Sequence, residues 1–202
     1  MKKILALILA LMMMLTFVAC SKGEETPAED NKDNGGNQTA GLKDVTDVPV
    51  DILNNIWKKV SDDNKFPIAG GDMENANMEG AGLVKDAGYL GGNLYVPEAD
   101  QSKVDSVASM MHMMNANNLT IGAYHFANKD DIETFAKTMR DKLLGNQWMC
   151  GFPEKLYIVQ IGNESLIVMF GIEAATSVII PAISEAYSAD SIKVLFDEAF
   201  PA

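Results

Sequence analysis

The chain has 202 residues, 48% hydrophobic and 22% charged, with 28 acidic side chains against 16 basic and a net charge of −12. That length suits one ordinary domain plus an appendage. The acidity argues against a nucleic-acid binder, which needs a basic face, and against docking on anionic lipid by charge alone. Two cysteines exclude a disulfide-stapled scaffold, and two histidines leave little material for a zinc site.

The chain opens Met1-Lys2-Lys3, continues as an apolar run over residues 4–19, and then reaches Cys20. A positive start followed by a short apolar stretch predicts a secretory signal; the run is short for a membrane span. Small Ala19 directly before Cys20 resembles the lipobox of bacterial lipoproteins, in which the cysteine takes up diacylglycerol and becomes the mature N-terminus. Phe17 departs from the leucine usual at its position, and an ordinary cleaved signal with an incidental cysteine is the alternative. Lipidation at Cys20 implies a chain held on the outer face of the cell membrane. Loss of Lys2 and Lys3 with the signal lowers the basic count from 16 to 14 and the net charge to −14. Residues 20–45 form the lipidated cysteine and an acidic tether. With no aromatic residue and one large aliphatic, Leu42, residues 21–44 are expected to be disordered.

Residues 46–202 are expected to make a single α+β domain. Val48, Ile52, Ile56 and Val60 recur four apart and predict an amphipathic helix. Residues 64–92 then dissolve into Gly, Asn, Asp and Met, which reads as a long irregular excursion with a helical turn near 87–94. Strands are expected at 106–113 and 119–127 around an asparagine-rich turn. If Met114 faces Leu119 across that turn, His112 lies opposite Ile121 and far from His125, so the two histidines do not share a ligand. The next helix presents Ile132, Phe135, Ala136, Met139, Leu143 and Leu144 on one face. Residues 155–161 and 165–170 bracket Gly162-Asn163-Glu164 as a hairpin. Two helices, at 174–187 with Pro181 inside and at 190–200, are expected to close the chain. The order predicts a two-layer sandwich: an antiparallel sheet of about four strands in two hairpins, covered by helices on one face. Residues 106–144 and 155–187 share a loose strand-turn-strand-helix echo.

Motifs for chemistry are sparse. Met110-Met111-His112-Met113-Met114 offers soft ligands for Cu(I). In a strand, however, residues 110, 112 and 114 face away from 111 and 113, so at most three of the five share a site, and methionine as filler of a buried strand is the ordinary reading. Trp148-Met149-Cys150-Gly151-Phe152-Pro153 evokes a thioredoxin-like site. It lacks a resolving cysteine and follows a helix instead of opening one. Asp72, Glu74, Asn77 and Glu79 depart from the EF-hand spacing. No Gly-x-Ser-x-Gly elbow, His-Glu-x-x-His or phosphate-binding Gly-x-x-x-x-Gly-Lys-Ser/Thr occurs, so no catalytic residue, metal or cofactor is assigned. A cleft joining His112, Cys150 and an acid would revive an enzyme. The binding residues expected instead are Phe66, Gly70, Gly71, Met73 and Met78 of the excursion, together with His112. Glycines admit a close approach, and methionines adapt to several shapes.

At Cys20, Asp51-Ile52, residues 107–127, the Gln147-Trp148 pair and Tyr157-Ile158-Val159 through Phe170, the chain resembles uncharacterised clostridial, Gram-positive lipoproteins carrying a domain of unknown function. Some similar proteins are labelled bacteriocin transport accessory protein. The resemblance implies a partner at an exporter and carries over no catalytic residue. The function expected is therefore a non-enzymatic, membrane-anchored extracytoplasmic lipoprotein that binds a protein partner at the envelope. A small-ligand or metal-binding module is the alternative.

Overall fold

The computed structural model describes residues 42–201; the signal segment, Cys20 and nearly all of the tether lie outside the described residues. Within them, α1 (Pro49–Lys59) begins on a proline whose fixed φ suits the first helical position, with Asp51 in its first turn and Lys58 and Lys59 in its last. The excursion carries the two-residue strands β1 (Ile68–Ala69) and β2 (Gly82–Leu83) and the short helix α2 (Ala87–Gly92), capped by Asp86. The hairpin β3 (Ser106–His112) and β4 (Leu119–His125) precedes helix α3 (Ile132–Leu144). The second hairpin, β5 (Lys155–Ile161) and β6 (Ser165–Gly171), precedes helix α4 (Glu173–Ala186) and strand β7 (Ile192–Ala199). No helix among the described residues is long and apolar enough to cross a membrane.

The fold is mixed α+β, and every strand pair is antiparallel. The sheet has seven strands in the order β1-β3-β4-β6-β5-β7, with β2 also on β3, and not the four expected. The expected two-layer arrangement is also corrected, because helices cover both faces. Along β6, Ile167 and Met169 join α1 and α4 in one core, while Leu166, Val168 and Phe170 join α3 in the other. A strand buried on both sides reads as a continuous apolar run, and Leu166-Ile167-Val168-Met169-Phe170 is one. The echo of strand-turn-strand-helix is present in chain order, yet its two helices land on opposite faces.

The expected final helix is the edge strand β7, paired to β5 along its length. A bulge between Ile158 and Val159 leaves Leu195 without a cross-strand partner, and both Leu195 and Phe196 pack into the α3 core. Two neighbouring residues turned to one face imitate helical spacing in the sequence, while the open edge of β5 demands hydrogen-bonding partners. Arg140 of α3 clamps the strand by two hydrogen bonds to Glu198, at 2.6 and 2.7 Å, and lies over the Phe196 ring. Helix α4 runs through Pro181. The missing N–H frees the Ser177 carbonyl, and both residues are exposed, so water can satisfy it.

The β3–β4 register differs by two residues from the expected one: Met110 faces Ile121, and His125 faces Ser106. Met113 and Met114 have left the strand and entered the connection, which includes a 3-10 turn at Asn115–Asn117. A slip of two keeps every side chain on its predicted face, since the strand period is two. The histidines therefore remain far apart.

Candidate functional site

The excursion is a bonded cap over the edge of β3. Gly70 exchanges two backbone hydrogen bonds with Asn77, both 2.8 Å, and the Gly71 N–H donates to Ser109 Oγ at 3.0 Å. A Cβ on Gly70 would stand 2.3 Å from the Ser109 carbonyl oxygen and 2.4 Å from the Gly82 nitrogen. The close approach that the glycines permit is thus of backbone to backbone, and no ligand is needed to explain it. Asp72, almost fully buried, binds the cap together. Its Oδ1 accepts from the N–H groups of Glu74 and Asn75 and from Asn75 Nδ2, and its Oδ2 from the N–H groups of Lys85 and Asp86. The Lys85 N–H and then the Asn75 amide hold its carboxyl well below the usual carboxylate range.

The six expected binding residues are therefore dispersed. Gly70 and Gly71 are structural. Met73 is 96% exposed and Met78 58%, and neither lines the cleft that His112 reaches. Phe66 is packed against the core and stacks on His112 with ring centroids 4.6 Å apart. Of the six, His112 lines a cleft together with residues of several other elements.

That cleft, about 330 Å³, opens where the end of β3, the β3–β4 connection and the α3–β5 segment meet. Tyr95, Trp148 and Phe170 are packed together at it, with ring centroids 5.1 to 5.7 Å apart. Met111, His112, Met114, Asn118 and Cys150 line the rest. Tyr95 has φ of 59°, a left-handed backbone that is unusual for a bulky side chain and aims its ring into this cluster. Burial raises its phenol pKa, and neighbouring Cys150 adds to the shift. The Asn118 side-chain amide donates to the Gly151 carbonyl and so ties the strand connection to the Cys150 segment. Trp148 Nε1 is buried with no acceptor among the described residues. Beside the cleft, Met113, Met114, Met149 and Phe152 are 49%, 54%, 93% and 65% exposed.

His112 and Cys150 thus converge, but no carboxylate lines their cleft. The Met114 N–H donates to His112 Nδ1 at 2.9 Å, which puts the proton of the neutral ring on Nε2 and leaves no lone pair to accept one from a thiol. Burial lowers the His112 pKa and favours that neutral form. His125 sits apart, its Nδ1 2.6 Å from Asp105 and its Nε2 3.4 Å from Glu164, beside a second cavity of about 330 Å³ that Asp44 and Asp47 also line. Among the described residues no three His, Cys, Asp or Glu side chains converge to hold a metal ion.

In sequence the Cys150 segment reads as a redox motif without its resolving cysteine, and neither Tyr95 nor Phe170 is marked as a site residue. The one visible signal was an unusual density of large apolar residues, Trp148, Met149 and Phe152, in a segment between elements. No protein-family model, curated protein or solved structure matches the chain.

Proposed function

We propose that this chain is a non-enzymatic lipoprotein, anchored through Cys20 to the outer face of the membrane, whose domain holds a protein partner at the envelope as an accessory component. The observation that carries the reading is the exposed apolar set Met113, Met114, Met149 and Phe152 beside an aromatic-floored cleft. Large exposed apolar side chains on two segments that the Asn118–Gly151 hydrogen bond ties together mark a contact site, and the tryptophan and tyrosine lining the cleft are of the kind that dominates binding energy. Methionine rims adapt to a partner's shape. The resemblance to clostridial lipoproteins, with their transport-accessory labels, points in the same direction.

A photo-cross-linking side chain at Met149 tests the reading on intact cells. A discrete protein adduct is expected, and it disappears when Phe152→Ser is added. Cys20→Ser should release the chain from the membrane fraction. The alternative, a small-ligand module, is favoured by the cleft's size, at the lower end of ligand pockets. A saturable thermal shift with a metabolite, about 2.7 kcal/mol at one hundred times Kd, together with no adduct, would replace the partner by a ligand.

A further inference from the structure

Met111 and Met114 are three residues apart, and in a continuous strand they would point to opposite faces. The structure removes that obstacle. Strand β3 stops at His112, and the hydrogen bond from the Met114 N–H to His112 Nδ1 turns the chain back so that both methionines line the cleft. The Asn118–Gly151 hydrogen bond then ties the segment of Cys150, the one cysteine among the described residues, to the same opening. Three sulfur-bearing residues from two distant stretches of chain therefore line one opening, together with Tyr95 and Trp148 and without a carboxylate. Met111 Sδ accepts a weak hydrogen bond from Tyr89, 3.6 Å away, and keeps its second lone pair.

We propose that Met111, Met114 and Cys150 form a three-sulfur site for the cuprous ion. Thioethers and a thiolate are soft donors that select Cu(I), whereas hard divalent ions need the carboxylates this cleft lacks. His112 is not counted among the ligands, because its Nδ1 is already occupied and its Nε2 carries the proton. Binding replaces the Cys150 S–H bond by an S–Cu bond and releases one proton to solvent, and the copper stays cuprous throughout. Affinity therefore falls as pH falls. The site is independent of the protein-partner reading, which can fail while this one stands.

The test uses the full chain in detergent, with Cys20→Ser to leave one thiol and Trp57→Phe to leave Trp148 as the single tryptophan. It is titrated anaerobically with Cu(I) against a chromogenic Cu(I) chelator. The expected result is one copper per chain with quenching of Trp148 fluorescence. Cys150→Ser abolishes binding. The paired change Met111→Leu with Met114→Leu, which conserves volume and so preserves the fold, weakens it by more than about tenfold, the loss seen for groups that merely support a ligand. If the double variant binds as tightly as the parent, the exposed thiol acts alone and the site is refuted. Binding without quenching of Trp148, or unaffected by Cys150→Ser, refutes it equally.

Discussion

Two segments flank β3, and they solve opposite problems. Residues 64–92 look like an open binding loop in sequence, because they are rich in Gly, Asn and Met, yet they are stitched to the sheet edge by backbone hydrogen bonds and by five bonds into Asp72. Residues 147–152 look like a short linker. Among the described residues their backbone N–H groups donate no hydrogen bond, and they present Met149 and Phe152 to solvent beside the cleft. Glycine density therefore marked where backbones touch, and exposed apolar side chains on a sparsely bonded segment marked the candidate site. The two signals are different in kind: the first is a demand for space, the second a surface left uncovered.

The comparison can be broken most severely at Gly70. Gly70→Ala drives a methyl group into three backbone atoms that cannot swing aside, and a loss of about 3 kcal/mol is expected in denaturant unfolding, near the upper end for overpacking. A near-neutral result would mean that the cap can lift off the sheet. Asp72→Asn should lower the thermal midpoint by several degrees, because an amide nitrogen then faces N–H donors. The pH dependence has a definite sign. The Asp72 carboxyl is depressed on folding, so its stabilisation is complete above the ordinary carboxylate range of about 4 and is lost as pH falls toward the folded-state value. Asp72→Asn should therefore flatten the acid limb of the stability profile. Phe152→Ser, at the other extreme, should change stability by no more than about 0.5 kcal/mol while removing the cross-link, since the ring is mostly exposed. Hydrogen exchange sharpens the contrast without mutation: the amides of Gly70, Asp72 and Asn77 should outlast those of residues 147–152.

Much of the framework was legible in the residues. The hairpin around Gly162, the helix bearing Ile132, Phe135, Ala136, Met139 and Leu143, and the strands of the first hairpin all lie close to where periodicity and turn residues put them. The candidate site was far less so. Of the expected binding residues only His112 lines the cleft, because Tyr95, Phe170, Met111 and Cys150 belong to four separate stretches whose meeting no local pattern records.

Local sequence by itself determined which stretches form hairpins and amphipathic helices, because side-chain periodicity and turn chemistry act within a few residues. Tertiary structure alone decided that β7 is a strand and that helices cover both faces of the sheet. It also decided that three sulfur side chains and an aromatic cluster share one opening. The open edge of β5, the second apolar face of β6 and the end of β3 at His112 are each satisfied by residues remote in the chain, and that satisfaction is a property of the packed whole.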